Sequence, residues 1–526
     1  MLDQVLKYNR KNQRIAFWLF TKRTYADCGG SSTKKGLVVG AYDGCSPGEL
    51  KLTPTALKID EETGGKLRAL LKGDMTIKKG TAQVYSNIHP ELYSIAVAGL
   101  GQEGIGLTES ENLDECKENI RWAAGVGARA LHETGLGTIF VEGFTNTESA
   151  AEGAILGTWQ YQELKNRDHQ YINAKIEMFE DQDREGWARG ALRADCQNVA
   201  RKLEETPANL MTPILFSQHA LDLLCACGIQ VEVRDRDWLE QKKFNAFLTL
   251  AKGSCEEPLL LEIGYCGGQP DDKPIVFIGK GITFDSGGLC LKKCEGMSEY
   301  RGDLAGAAVI VGVLKCIASM ALPINVRALI PLCENQPGGM AIKPGDVVVG
   351  LNGKTIVVED TDNEGRIIMV DPLVYSNTLY PCMVTSIATL TPGVRWGLGS
   401  GCSAVFTNSN PIWREINRAG AETGDRVWRF PFWKYYTKKI TSYTGVDVHN
   451  VGKGTGAAPC LGAAFIREFA PPGIDLMHLD ITGTGLLSTG YGHPYLRKGL
   501  MTGRPVRTIA QFLYQIACPH DRGDEC

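Results

Sequence analysis

The sequence predicts an α/β protein: an N-terminal α/β domain joined by a long helix to a C-terminal α/β domain with a mainly parallel central sheet. Three observations predict it. Apolar strand-like runs alternate with helix-like patterns through the chain, as when helices cross between the strands of a sheet. Residues 274–279 (PIVFIG) are apolar throughout, which suits a strand buried on both faces of a parallel sheet. A polar stretch around 166–183 precedes a long amphipathic pattern, which reads as a domain boundary followed by a connecting helix. At roughly 150 residues per domain, 526 residues leave room for such a division.

The elements follow in order. Residues 35–42 (KGLVVGAY) and 92–100 (LYSIAVAGL) read as strands. A helix is expected over 112–131, a short strand over 138–142 and a further helix over 149–164. In 183–205, Arg189, Arg193 and Arg201 interleave with Ala188, Leu192, Val199 and Leu203 at helical spacing. Pro207 ends that helix, because proline cannot continue it. Beyond it, strands at 274–279, 324–332, 382–390, 403–408 and 477–481 surround a small-residue helix over 304–320. The expected organisation is a leader over 1–25, an N-terminal domain over 26–182, the connector over 183–205 and the catalytic domain over 206–526.

A hydrophobic share of 43% with a net charge of −4 excludes a disordered chain and a basic nucleic-acid binder. No uninterrupted apolar run reaches the ~18 residues a membrane span needs. The charge is unevenly spread. Lys7, Arg10, Lys11, Arg14, Lys22 and Arg23 face a single acid, Asp3, within the first 25 residues. An acid-poor basic start of this kind resembles a mitochondrial presequence, so a mitochondrial location is expected, with the cytoplasm as the alternative. The 17 cysteines include no C-x-x-C and no zinc-site partners, so free thiols are expected rather than a disulfide or zinc scaffold.

In parallel sheets, ligands collect at the carboxyl ends of strands. Three charged segments fall there. Gly279-Lys280-Gly281 leads into Asp285-Ser286-Gly287-Gly288 directly after the apolar strand. Arg301-Gly302-Asp303 opens the small-residue helix, and Glu359 to Arg366 lies between a strand and a helix. Carboxylates gathered at one place repel unless something positive neutralises them. A pair of divalent metals is the economical answer, in a mostly oxygen ligand set suited to Mn²⁺, Mg²⁺ or Zn²⁺. Other readings fit less well. Residues 360–371 mimic an EF-hand, but a strand-like run precedes them rather than a helix. Residues 350–355 end like a P-loop, but Val348 stands where its first glycine is needed, so Asn352-Gly353 reads as a hairpin turn.

These segments, with Thr206-Pro207-Ala208-Asn209 and the run 495–504 (YLRKGLMTGR), resemble the leucyl aminopeptidase family over about residues 35–509. The resemblance implies a hexameric two-metal enzyme that releases N-terminal amino acids from peptides through a metal-bridging water. It places Lys280 and Asp303 on the exchangeable metal and Asp362 on the tighter one. Asp285 and Glu364 fall on the bridging carboxylates. Lys292 falls on the lysine that polarises the scissile carbonyl. Arg366 falls on the arginine that holds a bicarbonate general base. Arg366 itself keeps its proton and cannot serve as that base.

The sequence departs from the family around this set. The family's N-T-D-A-E-G-R is here Asp360-Thr361-Asp362-Asn363-Glu364-Gly365-Arg366, and its T-L-T-G is Thr389-Leu390-Thr391-Pro392. Tyr300 stands where an apolar residue, usually Met, is expected, and Thr482 and Gly485 replace Ala and Met. Asn363 is expected to add bulk in the substrate cleft, and Pro392 to remove a backbone N–H. An altered pocket around an intact ligand set suits an active aminopeptidase with changed side-chain preference. The alternative is a weakly active or inactive structural hexamer, as in relatives that accumulate in the mitochondrial derivatives of insect sperm.

Overall fold

The computed structural model describes residues 34–46, 49–73, 77–180 and 183–519, so the basic leader over 1–25 lies outside the described residues. Among the described residues twenty strands form in chain order: β1 (Lys35–Asp43), β2 (Leu50–Leu52), β3 (Ala82–Ser86), β4 (Ser94–Gly101), β5 (Leu107–Thr108), β6 (Leu113–Asp114), β7 (Thr138–Glu142), β8 (Lys175–Phe179), β9 (Gln230–Arg234), β10 (Leu259–Cys266), β11 (Ile275–Gly279), β12 (Gly281–Asp285), β13 (Asn325–Asn335), β14 (Asp346–Val349), β15 (Thr355–Val358), β16 (Met383–Ala388), β17 (Ser403–Thr407), β18 (Val427–Arg429), β19 (Val448–His449) and β20 (Asp475–Asp480).

The N-terminal sheet has the order β3-β4-β1-β7-β8, with β2 paired to β1. Its β4-β1-β7-β8 core is parallel. The C-terminal sheet runs β18-β17-β20-β16-β11-β13-β10-β9, and β12 continues from β11 to pair with β13. Its centre, β20-β16-β11-β13, is parallel and its flanks include antiparallel pairs. Every residue of β11 is buried, as an apolar run at the middle of a covered sheet requires. The helix Ala305–Ser319 packs on this sheet with Val309, Val313 and Ile317 in the core. The stretch Met297–Ser319 is apolar and long enough by composition to cross a membrane, but it is mostly buried inside the fold.

Most expected elements appear, with instructive differences at their ends. The helix expected from 112 spans Glu115–Glu133, because the Asp114 side chain accepts from Lys117 N and caps it. The helix expected over 149–164 is Thr147–Thr158, capped by Asn146, and it stops where Trp159 turns extended. The polar stretch 166–183 holds an unforeseen strand, β8, whose side chains are only half-buried because it closes the edge of the sheet. The Asn352-Gly353 turn joins β14 to β15 in an antiparallel hairpin, with Gly353 at φ +82°.

The connecting helix, Arg184–Glu205, is capped by Asp183. Beside it, buried ion pairs tie the two domains. Glu118, on Glu115–Glu133, accepts from Arg121 Nη1 at 3.1 Å, Trp122 Nε1 at 2.8 Å and Tyr495 OH at 3.1 Å. Burial alone would raise the Glu118 carboxyl, but a hydrogen bond from His493 and the Arg121 and Arg507 charges outweigh it and hold it at about 2. A depressed folded value stabilises the native state above the unfolded carboxylate range near 4.3. That stability is lost as pH falls from about 4 toward 2, on the order of 3 kcal/mol for this buried group. Glu118→Gln is therefore expected to flatten the decline of melting temperature between pH 4 and pH 2. An unchanged decline would exclude Glu118 as its source.

Candidate metal centre

The carboxyl ends of β11, β12 and β15 converge on one buried cleft. Lys280 occupies the single position between β11 and β12, and Asp285 ends β12. Asp303 lies in the 3-10 segment Met297–Leu304, and Asp362 in the turn Thr361–Asn363. Glu364 and Arg366 fall in the first turn of the helix Glu364–Tyr375. Lys292 reaches in from the loop after β12. Six of the seven residues singled out in the sequence meet there in ion pairs, and Arg366 lies two positions from Glu364 on the same helix.

Two ammoniums bridge four carboxylates. Lys280 Nζ lies 2.7 Å from Asp303 Oδ2, 2.7 Å from Glu364 Oε1 and 3.0 Å from Thr389 O. Lys292 Nζ lies 2.8 Å from Asp285 Oδ2 and pairs with Asp362 Oδ1. Oxygens of Asp285, Asp303 and Glu364, all buried, lie within 4.8 Å of one another. The set is still short of positive charge, and Glu364 Oε2 is buried with no hydrogen-bond partner. An orphaned carboxylate oxygen facing other carboxylates fits a cation.

The electrostatics carry the same mark. Burial and the Asp285 charge push Asp362 up to about 6 against the pull of Lys292. Burial, followed by the Asp285 charge, drives Glu364 well above its ordinary value. Burial also raises Asp303. Burial opposes the charge on both lysines, yet the surrounding carboxylates outweigh it and raise them. Carboxylates whose charged form is disfavoured by burial and by one another mark a site suited to a cation.

Glycine makes this density possible. A Cβ on Gly365 would meet Lys280 Cε at 2.8 Å and Nζ at 2.9 Å. Gly287, at φ +88°, lets the chain turn under Lys292, and a Cβ there would meet Cys290 O at 2.5 Å.

Further residues hold these side chains in place. Asn335 Nδ2 donates to Asp285 Oδ1 at 2.8 Å, and Thr389 Oγ1 donates to Asp303 Oδ1 at 2.6 Å. Thr361 Oγ1 donates to Gly287 O and accepts from Cys290 N, fastening the Lys292 loop to the Asp362 turn. Asn335 ends β13 and Thr389 follows β16, so the strand-end rule would have found both. Arg366 Nη1 donates to Asn450 O, whereas its buried Nε has no acceptor. Burial lowers the Arg366 guanidinium to about 10, and the unpartnered Nε fits a small anion.

The same fold occurs in known proteins. The description "Cytosol aminopeptidase family, N-terminal domain" matches residues 38–168, and that family's catalytic domain matches residues 198–510. The cytosol aminopeptidase of Bos taurus is 42% identical over 488 residues, 92% of this chain and 93% of that protein. The cytosol aminopeptidase of Homo sapiens is 41% identical over 510 residues, 96% of each. The chain belongs to the cytosol aminopeptidase family. It is a metalloaminopeptidase that releases residues from peptide N-termini. Among solved structures it is similar to the bottromycin maturation enzyme BotP, with a TM-score of 0.77 and 25% identity over 92% of this chain and 99% of BotP. BotP has also been solved in complex with Mn.

The departures from the aminopeptidase pattern have local accounts. Asp360 caps the ligand turn by accepting from Asp362 N at 2.9 Å. It also accepts from Asn363 Nδ2 at 2.7 Å, which ties the Asn363 side chain to the turn. Pro392 stands at the first position of the helix Pro392–Leu398, where its missing N–H costs nothing. Thr482 joins Thr391 on Asp480: each hydroxyl donates to that carboxylate at 2.6 Å. At Gly485 a Cβ would meet Ile481 Cδ1 at 2.7 Å, so a larger residue there needs Ile481 to move.

Proposed function

We propose that this aminopeptidase works with two divalent cations held by Lys280, Asp285, Asp303, Asp362 and Glu364, with Lys292 and Arg366 as its catalytic side chains. The carrying observation is the buried cluster of Asp285, Asp303 and Glu364 with an unpartnered Glu364 oxygen. Bound cations supply Lewis-acid polarisation and a water of lowered pKa. Asp285 and Glu364 suit bridging positions because each sits among the other carboxylates. Asp362, its side chain 35% exposed, marks the open side of the cleft, where a cationic peptide N-terminus is attracted. Lys292, held as an ammonium, places positive charge where an oxyanion develops. Arg366 offers Nε to an anion such as bicarbonate, which could take up the proton that arginine itself cannot accept. Zn²⁺, Mn²⁺ and Mg²⁺ all suit the donor set.

The deciding assay is leucine amide hydrolysis by the full chain loaded with Mn²⁺, with and without bicarbonate. Absence of turnover in fully metallated protein would overturn the enzymatic reading in favour of a structural hexamer. Lys292→Met is expected to lower kcat by about 10²- to 10³-fold at unchanged metal content, because one oxyanion partner is lost. Equal kcat in the two proteins would remove Lys292 from the mechanism. Family membership further supports a homohexamer, tested by light scattering. The basic start supports a mitochondrial address, tested by where a reporter fused to residues 1–25 accumulates.

A further inference from the structure

We propose that Tyr300 is a positioning residue for Lys292, holding its ammonium against the face of the phenol ring. The inference rests on the role given to Lys292 above. Lys292 Nζ lies 4.1 Å from the Tyr300 ring centroid, well within cation–π range. The ammonium therefore has three attractive neighbours: Asp285, Asp362 and a ring face.

Those neighbours are not equivalent. Asp285 and Asp362 are expected ligands of divalent cations, and a carboxylate neutralised by a metal loses much of its hold on a second cation. The ring carries no net charge to be neutralised. Its quadrupole keeps attracting the ammonium whatever the carboxylates bind. An aliphatic side chain at 300 would fill space beside Lys292 without this attraction.

The segment that carries the ring is anchored on both sides of it. Tyr300 lies in the same 3-10 segment as Asp303, and its chain neighbours are anchored on both sides. Glu299 Oε1 accepts from Arg395 Nη1 at 2.9 Å, which ties the segment to the helix Pro392–Leu398. Arg301 pairs with Glu205 Oε1 and donates through Nε to Glu205 O at 3.2 Å, which ties it to the end of the connecting helix. The hydroxyl is not needed for this role, whereas the electron-rich face is.

The test uses the Mn²⁺-loaded full chain and leucine amide. Tyr300→Phe should keep kcat within about twofold. Tyr300→Met should lower kcat about tenfold at unchanged metal content, and more than it changes KM. Replacing Tyr300 by phenylalanines of rising fluorine number should lower kcat stepwise, because fluorine drains the ring face at nearly constant size. A flat fluorine series, or full kcat in Tyr300→Met, would overturn the proposal. A wild type without turnover would overturn the Lys292 mechanism instead. The position is then read without activity, from the NMR signal of ¹³C-methylated Lys292. A ring-current shift that vanishes in Tyr300→Met supports the ring contact, and an identical signal in both proteins overturns it.

Discussion

Replacing Asp285 by alanine should abolish both metal retention and peptidase activity while leaving the chain folded. Asp285 is 2% exposed, and its charge contributes to raising Asp303, Asp362 and Glu364 and to holding Lys280 and Lys292 charged. Its removal takes away the carboxylate common to both halves of the cluster. The remaining charge then divides into two groups, a triad of Lys280 with Asp303 and Glu364 and a pair of Lys292 with Asp362. Neither group keeps the dense oxygen set that a divalent cation needs. Turnover is expected to fall by about a thousandfold or more. Metal analysis after gel filtration reads the first effect and leucine amide hydrolysis the second. Wild-type metal content in Asp285→Ala would mean that the cations sit elsewhere. Folding is expected to survive, because the substitution relieves like-charge repulsion. Its local cost is three lost contacts: Gly287 N loses its acceptor, Asn335 Nδ2 still donates to Thr361 O at 3.0 Å, and Lys292 keeps Asp362.

The cluster was legible because most of its parts fall in short segments that follow strand ends. Lys280 and Asp285 follow an unbroken apolar strand, and Asp362, Glu364 and Arg366 sit in one turn between a strand and a helix. Strand periodicity locates such positions without tertiary information. What was not legible depends on partners distant in the chain. Pro392 looks disruptive in sequence but harmless at the first position of a helix. β8 carries Lys175 and Glu177 because an edge strand buries little, so its composition resembles a linker. The buried interdomain ion pairs were invisible for the same reason: Glu118 and His493 are separated by most of the chain.

That interface carries the largest stability effect. Glu152→Ala is expected to cost about 3–5 kcal/mol. Glu152 lies on the N-terminal helix Thr147–Thr158 with no exposure. One of its oxygens accepts from Arg121 Nε at 2.5 Å and from Arg507 Nη1 at 2.8 Å. Arg121 belongs to the neighbouring helix Glu115–Glu133 and Arg507 to the C-terminal helix Val506–Ala517, so a single carboxylate joins three helices across the two domains. Removing it leaves two buried guanidiniums facing each other. Their other partners, Glu118 and Glu422 O for Arg121, and Gln197 and Thr423 O for Arg507, do not restore the charge balance. The loss is thus mainly the penalty of uncompensated buried charge, more than of two missing hydrogen bonds. This account separates from simple packing loss by a second variant. Replacing Glu152, Arg121 and Arg507 together with apolar residues of similar size should recover part of the stability, because no unpaired charge then remains at the site. Urea unfolding at neutral pH measures both proteins. If the triple replacement is less stable than Glu152→Ala by the full sum of further losses, burial of unpaired charge is not what the single substitution costs.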